Sequence, residues 1–226
     1  EIIQNKITRY RTNVNEIVIN EVFQDDSRVE WSINPGRFVC NETYFKTLNM
    51  IHNKNNKTKV LFVHLPPENI LNIIDQTEII ERLIRCITKP YIEVVGALIF
   101  DENDRILSCR RPKEKSWPSW WEFPGGKVEF GETPFQALSR ELKEELSLNV
   151  LPSKIIAEQF FDYEDKYVRL MVLNCGIIEE DQIELVEHDQ MRWLYKHELF
   201  EVNWLPADLP IIEKWFVEGI PSPHQY

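Results

Sequence analysis

A glycine-containing loop that leads into an acidic helix constrains the fold of this chain most. The loop is Pro124-Gly125-Gly126, whose backbone can approach another group closely because glycine has no side chain. Thr133 is a good N-cap, Pro134 suits the first helical position, and Gln136 completes a capping box. Apolar residues at three- and four-residue steps then predict a buried stripe, made of Phe135, Leu138, Leu142 and Leu146.

Three glutamates fall together on a different face of this helix, namely Glu141, Glu144 and Glu145, with Arg140 at its edge. Like charges at this spacing destabilise an isolated helix, so a strongly cationic group is expected to neutralise them. Hard oxygen ligands beside a glycine loop are those that Mg²⁺ or Mn²⁺ prefers, usually shared with substrate phosphates. The alternative is a solvated acidic face without a ligand.

The residues from Gly126 to Leu148 resemble the Nudix box, the signature of the Nudix hydrolase family. That pattern is Gly, five residues, Glu, seven residues, Arg-Glu-aliphatic, one residue, Glu-Glu, one residue, Gly and an aliphatic residue. The matching positions are Gly126, Glu132, Arg140, Glu141, Leu142, Glu144, Glu145 and Leu148. Ser147 departs from the pattern, which has glycine there, and a serine in a left-handed helix cap costs on the order of 1 kcal/mol.

The run from Trp121 to Pro134 resembles the MutT-type nucleoside triphosphate pyrophosphohydrolases within that family, and the likeness covers residues 91–216. It implies the Nudix fold, an α/β (α+β) architecture in which helices sandwich a mixed β-sheet. It also implies hydrolysis of cytidine-type or oxidised purine (deoxy)nucleoside triphosphates to a monophosphate and pyrophosphate, in nucleotide-pool sanitation. The cofactor that it implies is Mg²⁺ or Mn²⁺.

The resemblance assigns roles to individual residues. The metal ligands that it implies are Gly126, Glu141, Glu144, Glu145 and Glu187. Either Glu144 or Glu187 would accept the proton of the attacking water, and Lys127 would neutralise developing negative charge. Arg140 would pair with Glu132 and hold the acidic side chains in place. The alternative for Glu187 is a solvated charge in the acidic segment 184–189.

Three further residues are expected to contact the substrate, namely Arg110, Phe123 and Asp208. The Arg110-Arg111 pair ends the second strand where the MutT-type proteins have arginines near the triphosphate; the alternative is a pair of strand-end charges. Asp208 lies in the segment that recognises the edge of the base in those proteins. It could instead cap the final helix, because Asp is a favoured N-cap. The tryptophans are interpreted as packing residues rather than base-stacking platforms.

Composition narrows the possible partners of the 226-residue chain. A net charge of −11 argues against general nucleic-acid binding, and no apolar run is long enough to span a bilayer. Four cysteines without CxxC spacing predict free thiols in a reducing cytosol, and hence a cytoplasmic protein. The sequence begins at Glu1 without a methionine or signal peptide, which predicts a fragment or processed chain. It contains no signal for oligomeric state.

The chain is predicted to divide at Lys89-Pro90 into segments 1–89 and 90–226. In the second segment, strands are predicted at residues 91–100, 105–110, 155–163, 167–178 and 191–195, with a last helix at 206–215. In the first, strands are predicted at 28–33 and 59–64 and helices at 39–52 and 75–87.

The first segment resembles the C-terminal part of pyroglutamyl peptidase I. The likeness rests on the run from Asn34 to Tyr44 and on the run from Val60 to Pro66. It implies a nucleophilic Cys40 and a catalytic His64, a pair that suits nucleophile chemistry. Upstream strands and a third catalytic acid are missing from this sequence, so a truncated or degenerate module is the interpretation, with peptidase activity as the alternative.

Overall fold

The computed structural model describes residues 11–32, 39–54 and 57–222. The chain divides into two compact units, Glu1–Lys89 and Pro90–Tyr226. Among the residues described, no helix is both long enough and apolar enough to cross a membrane.

The described part of the first unit contains three helices, α1 (Glu16–Phe23), α2 (Val39–Asn53) and α3 (Ile73–Thr88). Helix α1 begins at Asn15, whose side chain accepts a hydrogen bond from the Ile17 amide, and α3 begins in the same way at Asn72. In α3, buried residues recur at three- and four-residue steps, which gives the helix one face for packing: Gln76, Ile79, Leu83 and Cys86. Arg82 of this helix lies over the ring of Phe23 and binds Asp26 at 2.6 Å.

The helices predicted at 39–52 and 75–87 are confirmed within one or two residues, but the strand predictions in this unit are wrong. Residues 28–32 and 59–64 adopt no strand, and Ile33 lies outside the described residues, as does much of the peptidase-like run that starts at Asn34. A strand needs a neighbouring backbone as its hydrogen-bonding partner. Here side chains take that role instead, since Asn13 bonds the backbone of Val60 at 2.7 Å and of Thr58 at 2.6 Å.

Seven strands in the described part of the second unit form one mixed sheet. Their bounds are β1 (Tyr91–Phe100), β2 (Ile106–Arg110), β3 (Trp121–Glu122), β4 (Gly125–Lys127), β5 (Lys154–Asp162), β6 (Tyr167–Ile177) and β7 (Gln190–Leu194). Strands β1 and β6 pair in parallel, and all other pairings are antiparallel. The five strands and the final helix predicted for this unit are confirmed, with bounds shifted by up to three residues.

One helix covers each face of this sheet, which confirms the predicted mixed sheet between helices. Side chains of β1 alternate between the two faces: Val95, Ala97 and Ile99 pack with α4 (Pro134–Leu146), and Leu98 and Phe100 pack with α5 (Leu209–Glu218). Of the predicted stripe on α4, Leu138, Leu142 and Leu146 are fully buried. Phe135 is 37% exposed, contrary to the prediction, because the buried part of the helix begins only at Ala137.

The ends of α4 follow the local sequence signals. Thr133 and Gln136 form the predicted capping box, and the helix ends at Ser147 with φ +56° and ψ +21°. The cap residue is therefore left-handed, which is the conformation expected where the Nudix pattern has glycine. Strand β4 pairs with the middle of β1 and leads the chain toward this helix, so the glycine loop and the glutamates meet beside the sheet.

Candidate active site

The glycine loop lies against both β1 and α4. A Cβ atom on Gly125 would overlap the carbonyl oxygen of Val95, and Gly125 has a φ of +149°, which side-chain-bearing residues rarely adopt. A Cβ atom on Gly126 would overlap the carboxylate of Glu141. The absence of both side chains therefore allows the loop backbone to approach the acidic face of the helix.

Arg140 ties the carboxylates of this region together. Its Nε and Nη2 donate to the two oxygens of Glu132 at 2.9 and 3.0 Å, which confirms the predicted pairing. Its Nη1 donates to Glu141 at 2.8 Å and to Glu144 at 3.2 Å. Its Nη2 also donates one hydrogen bond to the carbonyl oxygen of Lys127 at 3.0 Å. The guanidinium lowers the pKa of Glu132, so this carboxylate is ionised at neutral pH.

Glu145 is the most buried of the three helix glutamates, with 4% of its surface exposed. Its carboxylate accepts a hydrogen bond from the Gly125 amide at 2.9 Å, and Lys115 Nζ lies 3.9 Å away. Burial is the main cause that raises the pKa of Glu145 to about 7, and the neighbouring Glu122 acts in the same direction. One amide hydrogen bond and a distant ammonium offset little of the free-energy cost of burying this charge, so a bound cation would stabilise the ionised carboxylate. Glu144, in contrast, is half exposed and contacts Arg140.

Glu187, in the segment that leads into β7, forms an ion pair with Lys115. This ammonium lowers the pKa of Glu187. Glu187 is exposed, in keeping with the interpretation as a solvated charge, and it is also paired with Lys115. Lys115 stands between two carboxylates that come from α4 and from this segment. Nothing in the local sequence pattern marks Lys115, because its partners are 30 and 72 residues away.

A cavity of about 470 Å³ gathers most of these groups. Its charged and glycine lining includes Gly126, Lys127, Glu141, Glu145 and Glu187 from the predicted site, together with Arg111, Lys115 and Glu122. Its apolar lining includes Trp117, Phe123, Tyr163, Leu205 and Ala207, and Asp208 lies among them. Glu144 is not among the lining residues. One cavity thus combines a charged wall with an aromatic wall, which suits a ligand that has both phosphates and a ring.

The two arginines at the end of β2 have different surroundings. Arg110 makes a bidentate pair with Asp189 at 2.7 and 3.1 Å and does not line the cavity. Arg111 lines the cavity and binds both oxygens of Glu122 at 2.7 and 2.8 Å. Successive residues of an extended segment point in opposite directions, so only one of the two can face the cavity. The structure therefore replaces the predicted Arg110 with Arg111 as the arginine of the cavity.

Asp208 stands at the N-cap position of α5, yet its side chain makes no capping hydrogen bond. Its Oδ1 accepts a hydrogen bond from the Phe123 amide at 3.1 Å, and only 4% of the residue is exposed. The helix-capping alternative is therefore wrong. Burial raises the pKa of Asp208 well above its ordinary value, and Glu122 raises it further. The ring of Phe123 packs against Trp204 and Trp215, which fixes the backbone that holds Asp208.

Comparison with known proteins identifies the family. Residues 90–216 match the NUDIX domain. The chain belongs to the Nudix family.

Curated relatives of this Nudix protein are named as nucleotide hydrolases. A CTP pyrophosphohydrolase of Escherichia coli (strain K12) is 32% identical over 122 residues, which span 54% of this chain and 89% of that protein. An 8-oxo-dGTP diphosphatase of Haemophilus influenzae is 38% identical over 128 residues, or 56% of this chain and 92% of that protein. The crystal structure of a MutT protein from Methanosarcina mazei Go1 has 29% identity and a TM-score of 0.53, and the match covers 58% of this chain and 96% of that chain. The protein is a Nudix pyrophosphohydrolase with MutT-like relatives.

The Nudix domain also contains a buried polar group that sequence reasoning missed. His188 has a fully buried side chain whose Nε2 lies 3.2 Å from Glu122 Oε1. Glu122 in turn holds Arg111, so the three side chains form one network beside the cavity. The tryptophans were interpreted as packing residues, and Trp121 and Trp204 are indeed buried in the core. Trp117, in contrast, is 40% exposed and lines the cavity.

The donor chemistry of the Nudix site fits a hard divalent cation. The carboxylates that line the cavity, Glu141, Glu145 and Glu187, and the Gly126 backbone beside them, supply oxygen donors only. Within the described ranges, no three His, Cys, Asp or Glu side chains are gathered closely enough to hold a metal ion. In this arrangement the cations Arg140 and Lys115 occupy the carboxylates instead. Arg140 and Lys115 thus offset only part of the negative charge of this cluster, since together they contact five carboxylates.

Proposed function

We propose that this Nudix hydrolase cleaves (deoxy)nucleoside triphosphates of the cytidine type, or with an oxidised purine base, into a monophosphate and pyrophosphate. The observation that carries the proposal is the single cavity lined by carboxylates, Arg111 and Lys127 together with aromatic side chains and Asp208. The names of the relatives, CTP pyrophosphohydrolase and 8-oxo-dGTP diphosphatase, support the same substrate class. Removal of damaged nucleotides from the nucleotide pool is the corresponding role.

The reaction is proposed to need Mg²⁺ or Mn²⁺. The residues that would hold the ion are Gly126, through its carbonyl oxygen, and Glu141, Glu144, Glu145 and Glu187. When bound, the ion would neutralise phosphate charge and lower the pKa of a coordinated water. The raised pKa of the buried Glu145 supports this assignment, because a cation would compensate the charge that burial disfavours. Arg140 holds Glu132, Glu141 and Glu144 in one region through its hydrogen bonds.

Hydrolysis forms a bond between a water oxygen and phosphorus and breaks the bond to the pyrophosphate leaving group. The proton of the water passes to a carboxylate, and Glu144 and Glu187 are the two candidates. Lys115 lowers the pKa of Glu187, which keeps this carboxylate ionised but makes it a weaker base. Lys127, exposed beside the cavity, would stabilise negative charge that develops on the phosphates. Arg111 is proposed as the arginine that binds phosphate oxygens.

Asp208 is proposed to contact the base. Burial raises the pKa of Asp208 and so favours the protonated carboxyl, and its Oδ1 already accepts from the Phe123 amide. A protonated carboxyl can donate from its other oxygen, so it offers a hydrogen bond to an acceptor on a base edge. A site built to make such a bond discriminates strongly against bases that lack the acceptor. Phe123 would contribute through its backbone, which positions this carboxyl.

The test is pyrophosphate release from canonical and oxidised nucleoside triphosphates at saturating Mg²⁺. The wild type is expected to turn over a cytidine or oxidised purine triphosphate fastest. Glu144→Gln is expected to lower turnover by orders of magnitude while the fold survives, and Glu187→Gln shows whether the second candidate accepts the proton. Glu213→Gln, an exposed change on α5, is the matched control. Wild-type turnover in Glu144→Gln would remove the assignment of that residue.

A second candidate function concerns the first unit. Cys40 lies at the start of α2, and its Sγ is 3.9 Å from His64 Nε2. A thiol at a helix N-terminus beside an imidazole can act as a nucleophile, as in cysteine peptidases. We propose two alternatives for this unit: it has pyroglutamyl cysteine peptidase activity, or it is a fused inactive peptidase module.

The peptidase alternative is tested by cleavage of a pyroglutamyl fluorogenic amide. Activity is expected to disappear in Cys40→Ala and His64→Ala and to persist in Glu144→Gln, which lies in the Nudix unit. If the wild type does not cleave the amide, the inactive-module interpretation stands.

A further inference from the structure

His188 is a buried residue close to the cavity, but its side chain does not line it. Its side chain is fully buried, and it is absent from the residues that line the cavity. Its two chain neighbours are both ion-paired, Glu187 with Lys115 and Asp189 with Arg110. A buried imidazole between two paired carboxylates is costly unless its nitrogen atoms are hydrogen-bonded. The hydrogen-bond partner of the imidazole therefore indicates why a histidine is buried here.

That partner is Glu122 on β3. His188 Nε2 and Glu122 Oε1 are 3.2 Å apart, and the side chain of Glu122 is 12% exposed. An ionised carboxylate only accepts hydrogen bonds, so Nε2 is the donor. Among the described residues, Nδ1 has no hydrogen-bond partner. The contact with Glu122 is thus the one polar contact of this imidazole in the described part of the chain.

Glu122 passes this contact on to Arg111. Both of its oxygens accept from Arg111 Nη1, at 2.8 and 2.7 Å, and the side chain of Arg111 is 18% exposed. Ser116 supports the other side of the guanidinium through its carbonyl oxygen at 2.7 Å. The direction of Arg111 in the cavity therefore depends on the orientation of the Glu122 carboxylate. His188 contributes one of the hydrogen bonds that set that orientation.

The same imidazole anchors the segment that carries Glu187. The Val186 amide donates to the carbonyl oxygen of Glu145 at 2.9 Å, and the Asp189 amide donates to the carbonyl oxygen of Arg110 at 3.2 Å. Between these two backbone contacts, His188 is the side chain that points into the protein and reaches β3. Glu187 is held at the cavity as its chain neighbour.

We propose that His188 is a positioning residue for the hydrolytic reaction, one that couples the placement of Arg111 and of Glu187 through its hydrogen bond to Glu122. The proposal rests on the proposed function, because it assigns Arg111 and Glu187 roles in the binding and cleavage of a triphosphate. It requires no direct contact between His188 and the substrate. Loss of the donor frees Glu122 to rotate, and Arg111 then loses its fixed direction toward the phosphates.

Three substitutions of His188 separate positioning from packing. Glutamine places an amide nitrogen as many bonds from Cα as Nε2 of histidine, so His188→Gln keeps the donor to Glu122. In His188→Asn the nitrogen falls one bond short, and His188→Leu fills space without a donor. We expect the Leu and Asn variants to lose about 10- to 100-fold in kcat/KM, with a raised KM for the triphosphate and a lowered kcat. We expect His188→Gln to stay within about threefold of the wild type.

Activities are divided by the folded fraction from circular dichroism melts. Equal specific activity in all three variants would overturn the proposal and leave a packing role. If His188→Leu does not fold, the Gln and Asn pair decides, because both are polar and similar in size. A readout independent of turnover is nitrogen NMR of the His188 ring. A slowly exchanging proton on Nε2 whose resonance moves in Glu122→Gln is expected, and its absence would also overturn the proposal.

The wild type is assayed first on the triphosphate panel. If it releases no pyrophosphate from any nucleotide, the proposed function fails, and the NMR measurement still reports whether the His188–Glu122 contact exists. If the wild type is active and the His188 variants match it, the proposed function stands and the positioning role fails.

Discussion

Gly126→Ala is expected to lower activity strongly while the fold survives. A Cβ atom there would overlap the Cδ atom and both carboxylate oxygens of Glu141. These atoms end a flexible side chain, so Glu141 can rotate away at the cost of its 2.8 Å hydrogen bond to Arg140. That loss is about 1 kcal/mol for a partly exposed pair, which lowers Tm by roughly 3 °C in a domain of this size. The displaced carboxylate is one of the proposed metal ligands, so kcat/KM should fall about 100-fold.

Gly125→Ala is the matched control, and it should show the opposite pattern. Its Cβ atom would overlap the carbonyl oxygen of Val95, which belongs to the β1 backbone and cannot rotate away. The φ of +149° adds strain on the order of 1–3 kcal/mol. Together these effects should cost at least about 3 kcal/mol and lower Tm by roughly 10 °C.

Both glycine variants are to be measured by calorimetry in EDTA and by pyrophosphate release over a Mg²⁺ titration. Gly126→Ala should melt near the wild type and need more Mg²⁺ for half-maximal rate. Wild-type kcat and Mg²⁺ requirement in Gly126→Ala, or a Tm as low as that of Gly125→Ala, would refute the assignment of Glu141 as a ligand held against the loop.

Three other predictions concern stability. Ser147→Gly should stabilise the Nudix domain by about 0.5–1 kcal/mol in urea melts, because the helix cap is left-handed at φ +56°. Ser147→Ala is the control: it loses the same hydroxyl contact with Glu184 and should not stabilise the domain. Burial raises the pKa of Asp208, so the folded state keeps a proton that the unfolded chain releases, and stability falls as pH rises from about 4 toward the folded pKa. Asp208→Asn should remove that part of the pH dependence, as measured by unfolding between pH 4 and 8. Arg140→Lys should lose the bidentate contact with Glu132 and cost about 1–3 kcal/mol in the same melts, and an unchanged midpoint would contradict the proposed role of that contact.

Features that depend on residues a few positions apart could be predicted from the sequence. The capping box at Thr133 and Gln136, the left-handed cap at Ser147 and the pairing of Arg140 with Glu132 are all contacts within one loop and helix. Five of the seven strands described in the Nudix unit were predicted from apolar runs bounded by turn residues, whereas β3 and β4, which are two and three residues long, were not predicted. In the first unit, the same kind of apolar run at residues 59–64 forms no strand, since side chains rather than a neighbouring strand bond its backbone.

The sequence by itself thus determined the family, the acidic helix and the approximate strands of the second unit, because each rests on local spacing. Only the tertiary structure decided which groups face the cavity. It turned Arg111 inward and paired Arg110 with Asp189, and it joined Lys115 to carboxylates 30 and 72 residues away. It also buried Asp208 against the Phe123 amide, 85 residues away. Contacts over such separations depend on how the sheet brings its loops together, and no local pattern of residues encodes that.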